Sequence, residues 1–253
     1  TGRGAAPASS AGYAGHGAES VAPEVLAKYR PEPVPPGVSR RIQSMLDLVA
    51  PGPARVSDDG KRAYFTWNVT GSAQVWAVEG PGRFPRQMTG GDAATSVEAI
   101  TPDGKWLVLS RDHKCEENPG LYLQDALRGG PLAEIQHARG VQTRFAFLTD
   151  DGAWVYFTAN DVKKDSYAVY RWNVQTRTRE LVFDREGLWN VVDHRPDGRL
   201  LLELSTGALT AEYSEWDPAK RELRPVLGQG EREEYDVRYG VGEGELLVRT
   251  PKL

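Results

Sequence analysis

The sequence predicts an all-β fold, a β-propeller of four-stranded antiparallel blades, on three observations. An acid–glycine pair recurs along the chain, alternating apolar runs flank each pair, and the spacing leaves room for four short strands per repeat. The pairs are Asp59-Gly60, Asp103-Gly104, Asp151-Gly152, Asp197-Gly198 and the weaker Glu243-Gly244. From glycine to glycine the intervals are 44, 48, 46 and 46 residues, which is the period of a propeller blade.

Each acid–glycine pair predicts the hairpin between the first and second strands of a blade. Asp-Gly between alternating apolar runs is typical of a type I′ turn, in which both central residues have positive φ. A second hairpin after each pair supplies the third and fourth strands. These strands are predicted at residues 75–78 with 86–88, 121–123 with 132–135, 167–174 with 178–183, and 212–216 with 222–227. The seven Trp residues lie in or beside the predicted strands, which indicates packing between blades.

The repeat divides the chain into a tail, residues 1–37, and a partial β-propeller, residues 38–253. Residues 1 to about 17 are rich in Gly, Ala and Ser, which predicts mobility, and the proline-rich residues 31–36 predict a stiff, extended segment. The expected blades are about 53–90, 96–137, 141–184 and 188–228, with the start of a fifth at 234–253. A ring of six to eight blades needs on the order of 280 to 370 residues. The sequence is therefore expected to be a fragment that leaves the ring incomplete.

A short amphipathic helix is predicted before the first blade, with Ser39 as its N-cap and Pro51-Gly52 as its end. Its apolar residues follow the spacing i, i+3, i+4 and i+7 and are Ile42, Met45, Leu46 and Val49. Packing of this stripe on the protein's own domain is the favoured interpretation. Binding to a membrane surface or to a partner is the alternative.

Composition excludes several classes of function. Lys and Arg number 31 against 35 Asp and Glu, a net charge of -4, which argues against a nucleic-acid partner. No apolar run approaches the roughly 18 to 20 residues that span a bilayer. The single cysteine, Cys115, excludes an internal disulfide and a multi-cysteine metal site. The N-terminal residues leave the localisation open between the bacterial cytoplasm and export.

Several segments resemble a known family. Residues 101–107 (Thr-Pro-Asp-Gly-Lys-Trp-Leu) and 195–200 (Arg-Pro-Asp-Gly-Arg-Leu) are similar to the S-P-D-G-K/R repeat of TolB-like propellers. The same repeat occurs in the N-terminal propeller of the prolyl oligopeptidase family of bacterial serine peptidases. Further similarity to the leading half of those propellers lies at 45–47, 74–76, 86–91 and 116–122. The resemblance covers about residues 40–253.

The resemblance implies that chemistry belongs to a C-terminal α/β-hydrolase domain of the same polypeptide, beyond Leu253. That domain carries a Ser nucleophile in G-x-S-x-G, followed by Asp and His. No G-x-S-x-G occurs here, so this chain is expected to contain no catalytic residue, and no cofactor or metal is implied. The propeller would gate substrate by admitting unfolded peptides. The alternatives are a non-catalytic TolB-like propeller that binds protein partners in the bacterial envelope, and a propeller that is itself an enzyme.

Candidate contact residues lie in the loops between the second and third strands of each blade, at 68–73, 111–119, 160–166 and 205–211. The second and third loops are longer and more charged, and such loops often carry function on a rigid scaffold. They are predicted to contact a second domain or a peptide, against the simpler interpretation of solvated hairpin tips. The candidates are Arg111, Asp112, Glu116, Glu117, Asn160 and Asp161.

Three other arrangements are weaker. The acidic stretch at residues 231–235 fits a solvated turn better than a site for a peptide amine. Asp112, His113 and Glu116 have metal-ligating side chains, but their spacing matches no closed site. Cys115 lies two residues from His113, whereas a catalytic Cys and His are normally distant in sequence.

Overall fold

A computed structural model describes residues 21–29, 31–113 and 116–251. The chain divides into two units, Thr1–Leu48 and Val49–Leu253. Described residues of the first unit form two helices, and those of the second form antiparallel sheets in an unclosed ring. The predicted fold class is therefore confirmed. Residues 1–20 of the predicted tail, Lys114 and Cys115 lie outside the described residues.

The helices of the first unit are α1, Pro23–Tyr29, and α2, Pro36–Leu46. Only one helix was predicted. Its predicted N-cap, Ser39, is wrong by four residues because the N-cap is Pro35, and the helix ends at Leu46 rather than at Pro51-Gly52. Proline suits the first turn of a helix because its φ is already helical and the missing N–H has no helical acceptor there. No residue of α2 is buried, and the packing of its apolar stripe stays a prediction.

The second unit contains four complete four-stranded sheets and, within the described residues, one two-stranded sheet. Strands follow one another across each sheet in chain order, and all pairs are antiparallel. The first sheet is β1 Ala54–Val56, β2 Ala63–Trp67, β3 Gln74–Val78 and β4 Arg86–Gln87; the second is β5 Thr95–Ile100, β6 Trp106–Arg111, β7 Gly120–Asp125 and β8 Gly129–Gln136. The third is β9 Thr143–Leu148, β10 Trp154–Lys163, β11 Ser166–Asn173 and β12 Arg179–Phe183; the fourth is β13 Trp189–His194, β14 Leu200–Ser205, β15 Ala211–Asp217 and β16 Glu222–Leu227; the fifth is β17 Asp236–Tyr239 and β18 Leu246–Arg249.

Apolar clusters join each sheet to the next. Tyr64 and Leu107 lie in the cluster between the first two sheets, and Leu123 and Phe157 lie in the one between the second and third. Further clusters join the third sheet to the fourth and the fourth to the fifth. The first strands of successive sheets lie beside one another. The sheets therefore radiate from a common centre, with the first strands innermost.

The acid–glycine turns differ from the predicted type I′ geometry. Only the glycine has positive φ, 68° at Gly60, and none of the aspartates does. The Ser57 hydroxyl donates to Asp59 Oδ1 at 2.7 Å, and the same oxygen accepts the Lys61 N–H at 3.0 Å. The Gly60 N–H donates to the Ser57 carbonyl at 2.8 Å. This side-chain network stabilises a longer loop built on a type I turn, which needs positive φ at the glycine alone.

The carboxylates of the acid–glycine turns should make the free energy of unfolding fall at low pH. Hydrogen bonds from Ser57 and from Thr149 lower the pKa of Asp59 and Asp151 below the usual 3.8. A carboxylate with a lowered folded-state pKa stabilises the fold above its unfolded pKa, and this contribution disappears as the pH falls through the folded-state value. The double variant Asp59→Asn/Asp151→Asn keeps the acceptor oxygens without the charge. Its free energy of unfolding should therefore fall less than that of the wild type between about pH 5 and pH 3.

Urea titrations at several pH values measure this difference. Asp92→Asn, an exposed substitution outside the turns, is the control and should keep the wild-type slope. An equally steep slope in the double variant would show that these carboxylates do not contribute to the pH dependence.

Candidate functional site

A cleft of about 860 Å³ lies between the innermost strands of the first three sheets. Its walls come from β1, β5 and β9 and the residues just after them. The apolar part of the wall consists of Ala54, Val56, Ala99, Ile100, Pro102, Phe145, Ala146, Phe147 and Leu148. Each of these strands pairs on one side only, so its other backbone edge is unpaired within its sheet. The cleft therefore offers apolar side chains and strand edges together.

A β-bulge recurs in the inner strands at a constant distance from the turn glycine. The pairing of β5 with β6 passes from Val97 to Ala99 and leaves Glu98 as the extra residue. Ala146 of β9 and Val192 of β13 are skipped in the same way. Each lies six residues before its turn glycine. Bulges re-aim side chains, and both Glu98 and Ala146 line the cleft.

The charges of the cleft are unbalanced. Asp58, Glu98 and Asp150 supply three carboxylates, and Arg55 is the one cationic residue of the lining. Glu98 is half-buried and accepts a hydrogen bond from the Ser96 hydroxyl at 2.8 Å. Among the described residues, none of these four charged groups forms an ion pair. The cleft thus has an excess of negative charge against an apolar wall.

The predicted contact residues of the second sheet form hydrogen bonds within their own loop and to neighbouring segments. Arg111 donates to Thr95 Oγ1 at 2.6 Å and to the Gly90 carbonyl at 2.9 Å. Asp112 Oδ2 accepts the Glu117 N–H at 3.3 Å. Asp112 Oδ1 is buried without a hydrogen-bond partner within the described part of the chain.

Glu116 and Glu117 complete that loop mainly through their backbones. The Glu116 carbonyl accepts a hydrogen bond from the Asn118 amide at 2.6 Å. Glu117 has a φ of 57°, and its carbonyl accepts the Gln142 side-chain amide at 3.3 Å. Their carboxylates are exposed. The loop is therefore tied to the third sheet through Gln142, a residue that sequence reasoning missed.

The predicted residues of the third sheet are also held by hydrogen bonds. Asn160 Oδ1 accepts the Gln142 N–H at 2.7 Å. Asp161 accepts the Tyr170 hydroxyl at 2.7 Å and pairs with Arg179 at 3.0 Å. Burial and this hydrogen bond to Asp161 raise the pKa of Tyr170 above its usual value. Gln142 thus bonds both loops, and neither set of candidates lines the inner cleft. A role for them in contacting a peptide or a domain stays a prediction.

The structure describes two of the three weaker arrangements. Tyr235 donates its hydroxyl to the Glu231 carboxylate. No group of three or more metal-ligating side chains occurs among the described residues, which include Asp112, His113 and Glu116. Cys115 lies outside them. Neither α1 nor α2 is long and apolar enough to cross a membrane, and no other helix of the described ranges is.

The fold is similar to that of several solved structures. No family model matches the sequence, and no curated protein matches it significantly. A prolyl endopeptidase, from a study of inter-domain dynamics in catalysis and specificity, superimposes with a TM-score of 0.65 at 14% identity, over 90% of this chain and 36% of that chain. A puromycin-hydrolysing peptidase from Mycobacterium tuberculosis gives 0.59 at 13% identity, over 79% and 38%.

A putative TolB from Agrobacterium tumefaciens gives a TM-score of 0.53 at 16% identity, over 74% of this chain and 64% of that chain. At these identities the likeness shows the fold. The predicted resemblance to TolB-like propellers, of the kind also found in prolyl endopeptidases, is confirmed at that level. The chain spans about a third of the two peptidases and less than two thirds of the putative TolB.

Proposed function

We propose that this chain is the substrate-gating propeller region of a prolyl-oligopeptidase-like serine peptidase that acts on peptides. The inner cleft carries the proposal. Its volume of about 860 Å³ lies in the range of roughly 300 to 1,000 Å³ typical of sites for small ligands. A folded domain of about 100 residues has a radius of gyration of about 13 Å and cannot enter it. An extended segment of polypeptide can.

The chemistry of the cleft also favours peptides. The innermost strands each have an edge that no strand of their own sheet pairs with. At the start of β5 and of β9, Thr95 and Thr143 already donate to carbonyls outside those sheets, and an extended peptide can pair with the rest of such an edge by main-chain hydrogen bonds. The apolar wall, which includes Phe145 and Phe147, can contact alternate side chains of the same peptide. Main-chain pairing gives affinity for peptides of varied sequence, as a gate requires.

The catalytic step would belong to an α/β-hydrolase domain of the same polypeptide. Most of the prolyl endopeptidase and of the puromycin-hydrolysing peptidase lies outside the region of likeness. The absence of G-x-S-x-G from the 253 residues agrees with a division between a gating region and a separate catalytic domain.

A fluorophosphonate probe tests this proposal on the product of the complete gene. We expect labelling of that product and none of the 253-residue chain, since the activated serine would lie in the other domain. Replacing the serine of its G-x-S-x-G by alanine should abolish labelling. The same gene product, without the probe, should cleave a short peptide much faster than the same sequence within a folded domain. An unlabelled product, or equal cleavage of both substrates, would contradict the proposal.

A non-catalytic TolB-like propeller is the second candidate, because the putative TolB shares this fold over 64% of its length. This candidate predicts no labelling by the probe. It also predicts specific binding of a protein of the bacterial envelope to the purified chain.

A further inference from the structure

Glu98 lies in an innermost strand, at a position that recurs in every repeat. It is the bulge residue of β5, and the equivalent positions, six residues before each turn glycine, hold Ala54, Ala146, Val192 and Arg238. Three of the sheets form the cleft, and in the other two of these the equivalent residues, Ala54 and Ala146, also line it. Glu98 is therefore the one acidic side chain among the three cleft-lining members of this series.

The surroundings of Glu98 leave its charge without a counter-ion. The side chain is half-buried beside Ala99 and Ile100 and accepts one hydrogen bond, from Ser96. A carboxylate next to an apolar wall loses part of its hydration, and that loss is offset best by a cation with hydrogen-bond donors. Among the described residues no Lys, Arg or His is within ion-pair distance of Glu98. The missing partner can come from a ligand.

The other charges of the cleft favour the same kind of ligand. Asp58 and Asp150 lie two residues before Gly60 and Gly152, at equivalent places in the repeat. They add two exposed carboxylates to the lining, against the single cation Arg55. The local field therefore attracts cations and repels anions.

We infer that Glu98 is a specificity-determining residue that binds a positively charged group of a peptide lying in the inner cleft. The group is a Lys or Arg side chain or a free N-terminal amine, since all of these donate hydrogen bonds to a carboxylate. The inference rests on the proposed peptide gate and adds a substrate class to it. Apolar residues on either side of the cation would contact the wall at Phe145 and Phe147.

Fluorescence anisotropy with three labelled peptides of one apolar sequence tests the inference on the 253-residue chain. The first has a central lysine and an acetylated N-terminus, the second a central norleucine and a free amine, and the third norleucine and an acetylated end. The fluorophore is attached at the C-terminus. We expect one or both cationic peptides to bind about 10- to 100-fold more tightly than the third, as charged hydrogen bonds do. Which of the two gains affinity distinguishes a side chain from an N-terminus.

Glu98→Gln should abolish the preference while leaving the affinity for the third peptide unchanged. Glu134→Gln, at an exposed position of the outer strand β8, is the matched control and should keep the preference. Circular dichroism and the thermal midpoint establish that both variants are folded. Added salt should weaken the wild-type preference.

Three results would overturn the inference. Equal binding of all three peptides by the wild type would exclude a cation site while leaving a peptide gate intact. A preference that survives in Glu98→Gln would place the site elsewhere. Binding of none of the peptides would remove the inference together with peptide binding at the cleft, and the fluorophosphonate experiment on the complete gene product would still decide separately whether the protein is a serine hydrolase.

Discussion

Replacing Phe157 by alanine should lower the free energy of unfolding by about 4 kcal/mol. Phe157 is fully buried in β10, within the apolar cluster that joins the second and third sheets. Its ring stacks on Tyr170 with centroids 5.5 Å apart. Truncation removes the transfer free energy of the ring and leaves a cavity between sheets whose backbones are fixed by hydrogen bonds, so that little relaxation can fill it.

The midpoint of urea unfolding measures this loss. Phe84→Ala is the matched control, because Phe84 is 98% exposed, and its midpoint should stay close to that of the wild type. A small loss in Phe157→Ala would contradict tight packing between the second and third sheets. It would also mean that this packing does little to hold the cleft wall in place, because Phe157 lies opposite the wall residue Phe145 in the pairing of β10 with β9.

The repeat allowed the fold to be predicted because each turn is determined by local chemistry. A glycine that must have positive φ and the polar residues before it are visible in the sequence, and alternating apolar residues on both sides assign the strands. The predicted third and fourth strands correspond to β3 with β4, β7 with β8, β11 with β12 and β15 with β16. Such features do not depend on distant contacts.

The details of turns and helices required more than the spacing. Asp-Gly alone suggested a type I′ turn, whereas the hydroxyl of Ser57 or Thr149 holds the aspartate at negative φ. The helix α1 was missed because seven residues with one Leu and one Val carry too little periodicity to predict a helix.

The inner cleft could not be predicted because it depends on the register between strands. The repeat intervals vary between 44 and 48 residues. A bulge such as that at Glu98 or Ala146 adds only one residue, so the sequence does not distinguish it from a longer loop. The charged hairpin loops are conspicuous in the sequence, but Arg111 and Asp161 are engaged in hydrogen bonds within and between sheets. Charge alone does not distinguish a binding loop from a structural one.

Gly152→Ala should destabilise the protein by about 2 to 4 kcal/mol, whereas Gly60→Ala should cost only about 1 to 2 kcal/mol. The two glycines occupy equivalent turns with nearly equal φ, +69° and +68°. A Cβ on Gly152 would lie 2.8 Å from Cδ of Pro102, in the turn of the second sheet, while a Cβ on Gly60 would meet nothing within 4 Å. The backbone strain is common to both variants, so the difference between them reports the contact between neighbouring turns.

Urea unfolding of both variants and of the wild type gives this difference directly. The double variant Gly152→Ala/Pro102→Ala tests its cause, because removing the proline ring should relieve the clash and leave the strain. The double variant should then lose less free energy of unfolding than the sum of the losses in Gly152→Ala and Pro102→Ala. Equal losses in Gly152→Ala and Gly60→Ala would mean that the turns of the second and third sheets do not touch. The packing of the second sheet on the third would then depend on the apolar cluster that includes Leu123 and Phe157.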